Sequence, residues 1–524
     1  MPAERPRSLV SIDDLSTEEI VELFRHADAF REDLRTWTHL CKGCIMATLF
    51  FEPSTRTRLS FESAMLRLGG GVISTSDPQS SSHAKGESLA DTVRVVGGNY
   101  ADILVIRHPE DGAARVAARY AEVPVINGGD GAHEHPTQTL CDLYTLWKEK
   151  GYLRGLDVVL CGDLRYSRTV HSFAYALARF GANIITLPYP GFELPQYVLD
   201  RLRRVFGVQA EQAAIGELPG FASSPGSAAY LTASKPHQLA LFTKLTPHQV
   251  DRIDAIYMTR AQRERHLGES TAGYPRLSSA SLRSELMRDA RVMHPLPRTD
   301  EIDYELDSDP RSVYFRQAEL GVPIRMALMA FLLGRIELSA PRVGFASTEP
   351  GLPSVGGVLR CRNERCITHG EAARYVVPDF RLLHDDPPLL SCAYCGRELT
   401  APYVGNVSTR IYHRYNAPEA RRIKAENRAY FETDDQARAA EFAPRSWPVG
   451  GRWRWRRPAD PRAGCGGCRV VGIPAASRNR ISGDRAATRG AERRAKPLLG
   501  ARDRALQRRS AERPCGSKSF AIKT

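Results

Sequence analysis

The sequence lacks any long hydrophobic run. None of its 524 residues lies in an apolar stretch that approaches the ~18 residues needed for a membrane-spanning helix. The first residues, MPAERPRSLVSIDDLSTEE, contain no apolar core of the kind that a secretory signal peptide requires. Internal repeats are absent as well, which excludes solenoid architectures. With 42% hydrophobic and 25% charged residues the composition is globular, and we expect a cytoplasmic protein.

The first 444 residues also lack the positive charge that dominates the whole chain. The formal net charge is +13, but residues 445–524 alone hold 21 Lys or Arg against 5 Asp or Glu. Residues 1–444 therefore carry a net charge of −3, and no nucleic-acid partner is expected for them. We predict that segment 444–524, rich in Arg, Ala and Gly, is a disordered basic tail. Its alternating Trp and Arg residues leave single-stranded nucleic acid or an anionic membrane surface as alternatives.

Apolar segments of strand length alternate with helical patterns from about residue 43 onward. Such alternation predicts an α/β protein with two doubly wound parallel-sheet domains. We place these domains at residues 1–150 and 151–319, with a C-terminal helix at 320–338 that completes the first domain. The stretch at 219–234 is rich in Gly, Ser and Ala, and we interpret it as an insertion of unknown role.

The segment FEPSTRTR, residues 51–58, runs from a predicted strand into a predicted helix. A helix N-terminus offers free N–H groups and the positive end of the helix dipole, so anions bind there. The hydroxyls of Ser54, Thr55 and Thr57 and the guanidinium of Arg56 would suit a phosphate group. An ordinary helix cap with surface arginines is the alternative interpretation of this segment alone.

Further polar residues follow other predicted strands. Arg107 comes after one strand, His135 and Gln138 open the helix after the next, and His294-Pro295-Leu296-Pro297-Arg298 follows a later one. In open α/β sheets the ligand lies beyond the carboxyl ends of the strands. The sequence therefore predicts that these residues gather around one ligand site.

Eleven cysteines in a chain without a secretory context do not indicate a disulfide framework. Four of them form two close pairs, Cys361-x4-Cys366 and Cys392-x2-Cys395, separated by 25 residues. Two such pairs are typical of a closed, tetrahedral zinc site that is structural rather than catalytic, with iron or no metal as the alternatives. A module with few apolar residues would need the metal to fold. We place this zinc-binding domain at residues 358–415, after a linker at 341–357.

Six ordered motifs together resemble the catalytic chain of the aspartate carbamoyltransferase family. They are FEPSTRTRLSFE, IRHP, HPTQTL, GDLRYSRTVHS, YMTRAQRER and HPLPR, and the resemblance covers about residues 8–338. The cysteine-rich segment, including CITHGE, resembles the zinc domain of the regulatory chain of the same enzyme. Only about 20 residues separate it from the C-terminal helix, which leaves no room for the nucleotide-binding domain that the family's regulatory chain carries.

The resemblance implies transfer of the carbamoyl group of carbamoyl phosphate to L-aspartate, a step of pyrimidine biosynthesis. The residues implied to bind carbamoyl phosphate are Ser54, Thr55, Arg56, Thr57, Ser81, Arg107, His135, Gln138, Pro295, Leu296 and Pro297. Among them Thr57, Arg107 and His135 would polarise the carbonyl oxygen, and Arg56 would stabilise the departing phosphate. The residues implied to bind aspartate are Lys85, Arg168, Arg260 and Gln262. Zinc would be the structural cofactor, and no cofactor is expected for catalysis.

By the same resemblance, Ser81 and Lys85 would reach into the active site of a neighbouring subunit, which makes a homotrimer the expected assembly. The zinc domain would offer a route to higher assembly, and the mode of nucleotide regulation stays open. Two alternatives remain. One is a carbamoyltransferase that uses another amino acceptor such as ornithine, which Arg168 and Arg260 would repel. The other is a catalytically silent assembly subunit on the same fold, against which the presence of Arg56, Lys85, Arg107 and His135 argues.

Overall fold

The computed structural model of the chain describes residues 6–75, 86–212, 252–266, 274–283, 285–339, 354–356, 359–371 and 375–444. The predicted insertion at 219–234, the tail beyond residue 444, and both Ser81 and Lys85 lie outside these ranges. Within them, no helix combines the length and the apolar character needed to cross a membrane.

The first lobe is built on a four-stranded parallel sheet with the strand order β2-β1-β3-β4. Its strands are β1 (Ile45–Phe50), β2 (Gly71–Thr75), β3 (Ile103–His108) and β4 (Val125–Asp130). Its helices are α1 (Thr17–Glu32), α2 (Thr55–Arg67), α3 (Leu89–Asn99), α4 (Ala113–Tyr120) and α5 (Pro136–Lys150). The central strands are apolar along their length because helices cover both faces of a parallel sheet. The edge strand β2, in contrast, is largely exposed.

The second lobe contains a parallel sheet with the strand order β7-β6-β5-β8-β9. Its strands are β5 (Asp157–Gly162), β6 (Asn183–Pro188), β7 (Glu211–Gln212), β8 (Ala255–Met258) and β9 (Arg291–Met293). Helices α6 (Arg168–Arg179) and α7 (Gln196–Phe206) connect its first strands. Both lobes therefore confirm the prediction of parallel α/β sheets.

The C-terminal helix differs from its predicted position. We expected it at 320–338, whereas α8 spans Tyr314–Leu332 and packs against α1, α2 and α5 of the first lobe. It ends early because Gly334 adopts a left-handed conformation with φ 65°, which closes the helix through a bond from the Arg335 N–H to the Ala330 carbonyl. The apolar residues beyond Gly334 extended the predicted helix past this glycine.

The cysteine module begins with a four-stranded antiparallel sheet of strand order β10-β11-β12-β13. Its elements are β10 (Ser354–Gly356), α9 (Ile367–Gly370), β11 (Asp379–Asp385), β12 (Pro388–Cys392) and β13 (Glu398–Thr400). Strand β10 lies inside the segment 341–357 that we predicted to be a linker. It is a strand because its backbone pairs with β11, and this long-range pairing has no counterpart in its short local sequence.

A mixed sheet of strand order β16-β14-β15-β17 follows directly, in which β14 pairs antiparallel with β15 and β16 while β17 pairs parallel with β15. Its elements are β14 (Tyr403–Asn406), β15 (Ile411–Arg414), α10 (Pro418–Arg421), β16 (Arg428–Phe431), α11 (Asp434–Ala439) and β17 (Ala443–Pro444). Its own small core contains Tyr412, Phe431, Ala437 and Phe442. The folded chain thus continues beyond residue 415, where we had placed the end of the zinc domain, because these scattered apolar residues meet only in the folded sheet.

Candidate active site

The carboxyl ends of strands from both lobes open on one cavity of about 980 Å³. The first lobe contributes the segments after β1, β3 and β4, and the second lobe contributes those after β5, β8 and β9. The predicted residues that line it are Ser54, Thr55, Arg56, Thr57, Arg107, His135, Gln138, Arg168, Arg260, Gln262, Pro295, Leu296 and Pro297. Of the predicted site residues in these two lobes, the structure leaves only Ser81 and Lys85 undescribed.

Helix α2 points its N-terminus into this cavity. Ser54 occupies the N-cap position, yet within the described chain its side chain makes no capping hydrogen bond to the helix and instead donates to Thr57 Oγ1 at 3.0 Å. The backbone N–H groups of the first turn therefore lack a hydrogen-bond acceptor within the helix. Arg56 is exposed and has no ion-pair partner among the described residues. The arrangement offers backbone, hydroxyl and guanidinium donors to an anion.

Glu52 lies beside this helix end and joins the two lobes. Its Oε1 accepts hydrogen bonds from Arg107 at 2.7 Å, from Arg168 at 2.6 Å and from Arg265 at 3.1 Å. Arg107 is the penultimate residue of β3 in the first lobe rather than following the strand as predicted, because the pairing with β1 and β4 extends past it, whereas Arg168 and Arg265 belong to the second lobe. One carboxylate thus connects the lobes across the cavity. Neither Glu52 nor Arg265 was singled out in the sequence analysis, although Glu52 lies in the FEPSTRTR motif and Arg265 in the YMTRAQRER motif.

The charges around Glu52 do not balance. Burial by itself would raise the pKa of Glu52, but the three guanidiniums lower it to about 2. Burial, followed by the charge of Arg168, lowers the pKa of Arg107 to about 9 and that of Arg265 to about 10. The three guanidiniums and the single Glu52 carboxylate together leave an excess of two positive charges in a largely buried cluster. Such an excess favours the binding of an anionic ligand.

Gly129 makes the close approach of two of these arginines feasible. It has φ 111°, and a Cβ atom there would lie 3.0 Å from Arg168 Cζ and 3.2 Å from Arg107 Nη1. A residue with a side chain would therefore push the guanidiniums away. The Asn127-Gly128-Gly129 turn at the end of β4 is the local sequence that permits this packing.

His135 occupies the N-cap position of α5, where its side chain makes no capping hydrogen bond within the described chain, and it is buried. Burial, followed by the positive charges of Arg107 and Arg168, lowers its pKa well below the usual value. Its imidazole is therefore neutral near pH 7. Nδ1 lies 3.4 Å from Thr137 Oγ1, and the backbone N–H of His135 donates to Ser172 Oγ of α6 at 3.3 Å.

Gln138 is oriented by a buried carboxylate. Its Nε2 donates to Asp142 Oδ1 at 2.8 Å, and Asp142 also accepts from Gln317 Nε2 at 2.6 Å and from the Tyr257 hydroxyl at 2.8 Å. Because Asp142 takes up the amino group of Gln138, the carbonyl end of that amide remains available to the cavity. Burial raises the pKa of Asp142 to about 7 despite these three donors. Asp142 is a supporting residue that we did not identify from the sequence.

The loop after β9 carries the predicted residues Pro295, Leu296 and Pro297. The Leu296–Pro297 peptide bond is cis, and Leu296 has φ 52°. His294 holds this loop, because its Nδ1 accepts from the Leu296 N–H at 2.8 Å and its Nε2 lies 2.9 Å from Glu301 Oε1. These contacts place the loop at the wall of the cavity.

On the second lobe, the predicted aspartate-binding side chains already have partners. Arg168 holds Glu52 and donates to the Gly131 carbonyl at 3.0 Å. Arg260 forms a forked ion pair with Glu264, with Nη1 2.9 Å from Oε2. The backbone N–H of Gln262 donates to the buried Asp163 at 3.0 Å. The three residues therefore lie together at the cavity, in contacts within the chain.

The four predicted metal ligands meet in the cysteine module. Cys361, Cys366, Cys392 and Cys395 are all buried, and their sulfur atoms lie within 4.8 Å of one another. Gly396, with φ 70°, turns the chain after the second pair so that its N–H donates to the Cys392 carbonyl at 3.0 Å. Four converging thiols without disulfide bonds are a donor set suited to a thiophilic metal ion.

The two lobes and the cysteine module resemble domains of known proteins. Two family models cover the lobes: aspartate/ornithine carbamoyltransferase, carbamoyl-P binding domain (residues 7–148), and its Asp/Orn binding domain (residues 226–332). The aspartate carbamoyltransferase catalytic subunit of Clostridium botulinum (strain Okra / Type B1) is 46% identical over 334 residues, which are 63% of this chain and 98% of the relative. The chain belongs to the aspartate carbamoyltransferase family.

A third model, the aspartate carbamoyltransferase regulatory chain, metal binding domain, matches residues 353–404. This aspartate carbamoyltransferase family member therefore carries a regulatory-type metal-binding module on the same chain as the catalytic lobes. Most of the mixed sheet that contains β14 to β17 lies beyond the matched residues.

Solved structures agree with the family assignment. The catalytic subunit of M. jannaschii aspartate transcarbamoylase has a TM-score of 0.51 and 40% identity, covering 63% of this chain and 98% of that one. Aspartate transcarbamoylase from Trypanosoma cruzi in complex with N-(phosphonacetyl)-L-aspartic acid has a TM-score of 0.51 and 33% identity, with coverage of 62% and 95%. The Trypanosoma cruzi enzyme has also been solved with carbamoyl phosphate and aspartate, at a TM-score of 0.50 and 33% identity.

Proposed function

We propose that this protein transfers the carbamoyl group of carbamoyl phosphate to the amino group of L-aspartate. The products are N-carbamoyl-L-aspartate and phosphate, as in pyrimidine biosynthesis. One observation carries the proposal: a helix N-terminus suited to a phosphate and a set of arginines suited to a dicarboxylate open on the same cavity. We assign carbamoyl phosphate to the first lobe and aspartate to the second.

The phosphate group would lie at the N-terminus of α2. The backbone N–H groups of its first turn, the hydroxyls of Ser54, Thr55 and Thr57, and the guanidinium of Arg56 are the donors. The bond that breaks joins the carbamoyl carbon to a phosphate oxygen, so negative charge grows on that oxygen. Arg56, which has no competing partner among the described residues, is placed to take up this charge.

The carbonyl oxygen of the carbamoyl group would face Thr57, Arg107 and His135. Amine attack converts this oxygen into an oxyanion, and donors already in place stabilise it most strongly. His135 would act as a neutral donor, because its lowered pKa keeps a second proton off the ring. If Thr137 donates to Nδ1, the ring proton resides on Nε2, the atom on the opposite side of the ring.

The carbamoyl amino group would be held by acceptors. The carbonyl of the Gln138 side chain and the backbone carbonyls of Pro295 and Leu296 are the candidates, with Pro297 shaping the loop. Asp142 keeps the Gln138 amide in the orientation that offers its oxygen. These contacts would orient the carbamoyl plane for attack by the aspartate nitrogen.

The two aspartate carboxylates would meet Arg168, Arg260 and Gln262. Because Arg260 is paired with Glu264 and Arg168 with Glu52, the substrate carboxylates must share or replace these partners. Ornithine would bring a cation into a cavity that already holds excess positive charge, which disfavours it as the acceptor. Lys85, outside the described residues, is proposed as a further donor from a neighbouring subunit.

The test is the rate of phosphate release from carbamoyl phosphate with L-aspartate, with ornithine, and with no acceptor. We expect rapid release with aspartate alone. Ornithine-dependent release would overturn the acceptor while leaving the phosphate subsite intact. If neither acceptor supports release while the chain still binds inorganic phosphate, the silent assembly subunit becomes the correct description.

A homotrimer with shared active sites is part of the proposal. Leu59 and Leu66 on α2 and Ile73 on the edge strand β2 are exposed in the single chain by 52%, 59% and 41%. Parallel sheets and their helices are normally covered, so these apolar side chains favour a neighbouring subunit at this face. Ser81 and Lys85, which the resemblance assigns to a neighbouring subunit's site, follow β2 in the sequence and lie outside the described residues. Sedimentation should give three chains per particle, or a multiple if the cysteine module links trimers.

Zinc is the metal that we propose for the cysteine module. A tetrahedral site with Zn–S bonds of ~2.3 Å has sulfur–sulfur separations of about 3.8 Å. Cys361 and Cys395 have their sulfurs 3.5 Å apart, and Cys366 and Cys392 are 3.9 Å apart. When bound, the ion would hold the module together and take no part in the reaction. The eight cysteines that the structure describes are all free thiols, which supports a reducing, cytoplasmic location.

A further inference from the structure

The loop that joins the first two metal ligands reaches the active-site cavity. This 361–366 loop contributes Glu364 and Arg365 to the cavity wall, together with residues of both lobes. The cysteine module is therefore placed next to the substrate site of its own chain, so its contacts there can be followed residue by residue.

On one side the 361–366 loop is anchored to the first lobe. The Asp111 N–H donates to the Arg365 carbonyl at 2.8 Å, and the Ile367 N–H donates to the Asp111 carbonyl at 3.0 Å. Asn363 Nδ2 also donates to the Asp111 carboxylate at 2.7 Å. At the neighbouring Gly112 a Cβ atom would approach the Tyr394 backbone to 2.7 Å, so the module and the lobe are in close contact. The position of the loop is thereby tied to the first lobe.

On the other side the same loop holds the second lobe. Arg365 Nη2 donates to the backbone carbonyl of Arg265 at 2.9 Å, and its guanidinium lies 6.0 Å from the ring centroid of Tyr166. Arg265 in turn bonds Glu52 at 3.1 Å and the Tyr166 carbonyl at 3.1 Å through its own side chain. Arg365 thus reaches Arg265, one of the two second-lobe arginines that bond Glu52.

Arg265 also supports the proposed aspartate site. Its N–H donates to the Gln262 carbonyl at 2.7 Å, and its Nη1 lies 3.4 Å from Gln262 Oε1. A shift of the Arg265 backbone would therefore move Gln262. The α2 N-terminus, in contrast, belongs to the first lobe and makes no hydrogen bond with Arg365 among the described residues.

We propose that Arg365 is a positioning residue through which the metal-binding module sets the aspartate half of its own chain's active site. The bond from Arg365 to the Arg265 carbonyl holds Arg265 and Gln262 in the geometry that receives a dicarboxylate. This inference rests on the proposed function for the identity of the dicarboxylate. Its contacts do not depend on turnover, so binding can test it separately.

The experiment uses the full chain with Arg365→Met, and Arg362→Met as the matched control. Arg362 lies in the same loop but is 60% exposed and pairs with Glu432, away from the cavity. L-Aspartate binding in the presence of saturating phosphate, and phosphate binding alone, are measured by calorimetry, with KM for aspartate measured in parallel. Loss of a hydrogen bond from a charged group is expected to weaken aspartate binding about tenfold. Phosphate binding should change less than about twofold, and Arg362→Met should match the unaltered chain.

Three results would overturn the proposal. They are unchanged aspartate binding in Arg365→Met, an equal loss for phosphate and aspartate, and the same loss in Arg362→Met. Metal content per chain, measured for each variant, must equal that of the unaltered protein, and Arg365→Lys should bind aspartate better than Arg365→Met because it keeps one donor. If the unaltered chain binds aspartate but does not release phosphate, the proposed function fails, and the difference in aspartate binding between Arg365→Met and the unaltered chain still decides the positioning role of Arg365.

Discussion

At the first lobe the cavity presents a helix N-terminus and the exposed Arg56, whereas at the second lobe it presents arginines that already hold carboxylates. The α2 donors are backbone N–H groups and hydroxyls whose positions follow from the helix itself. Arg168 and Arg265 share Glu52, and Arg260 pairs with Glu264. The proposed phosphate subsite therefore has donors free of internal ion pairs among the described residues, whereas the proposed dicarboxylate subsite would have to exchange internal partners for the substrate.

The largest expected effect comes from breaking the prepared subsite. Arg56→Ala should lower kcat by about 10²–10³-fold, because it removes a donor to charge that develops in the transition state. Steady-state phosphate release measures this loss. The control is Arg58→Ala, since Arg58 pairs with Glu62 and does not line the cavity. A loss below about tenfold would mean that the helix end alone supplies the stabilisation.

Glu52→Gln tests the proposed aspartate subsite, whose arginines form ion pairs within the chain. Removing this partly buried carboxylate costs roughly 2–3 kcal/mol, so kcat/KM for aspartate should fall on the order of 50-fold. Binding of phosphate, measured by calorimetry, should change by less than about threefold. Equal losses for both ligands would show that Glu52 supports the whole cavity and would remove the contrast between the halves.

Asp142→Asn probes the support of Gln138 and carries a pH signature. Burial raises the Asp142 pKa to about 7, so wild-type kcat should fall as the pH drops through 7 and the carboxylate loses its acceptor role. The asparagine variant should lose about tenfold in kcat, because its amino group forces the Gln138 amide to turn, and this pH step should disappear.

Asp142→Asn should also change how the free energy of unfolding depends on pH. Since the pKa of Asp142 in the folded state lies above the ordinary aspartate value of 3.8, the folded state holds a proton between these pH values that the unfolded chain releases. Asp142 therefore costs stability as the pH rises from about 4 to 7, and Asp142→Asn should lose less stability between pH 5 and pH 8 than the unaltered chain. Thermal unfolding at both pH values gives the comparison. Burial also raises the pKa of Asp157, a more exposed carboxylate outside the cavity, so Asp157→Asn should change the pH dependence of stability in the same direction but leave kcat unchanged.

The smallest effect is expected at Glu264. The Arg260–Glu264 pair is half exposed on the glutamate side, and such pairs contribute little. Glu264→Gln should lower KM for aspartate by at most about threefold, because a competitor for Arg260 is removed. A rise in KM of about tenfold would instead mean that Glu264 orients Arg260, and aspartate saturation curves distinguish the two results.

Local sequence patterns were sufficient to predict the elements around the α2 N-terminus and the cysteine cluster. The FEPSTRTR segment predicted a strand that runs into a helix, and the structure has β1 followed by α2 in that order. The cysteine spacing likewise predicted four converging thiols, which the structure brings within 4.8 Å. Both predictions depend on residues only a few positions apart or on short paired motifs, where chain geometry leaves little choice.

The sequence did not predict tertiary contacts between residues that are far apart along the chain. Glu52 and Arg265 are separated by more than two hundred residues, and Arg365 reaches Arg265 from a different module. The end of the C-terminal helix was missed because Gly334 acts through its conformation, and β10 was missed because only its pairing with β11 makes it a strand. None of these has a periodic pattern that a local interpretation can detect.

The amino-acid sequence by itself determined the parallel α/β architecture, the family and the chemistry offered at each strand end, because hydrophobic periodicity and short motifs are local properties. Only the tertiary structure decided how the positive charge is distributed. It brought Arg107, Arg168 and Arg265 onto one carboxylate and set the metal-binding module against the cavity. Electrostatic interaction depends on distance and burial rather than on sequence separation, so it is established only when the chain has folded.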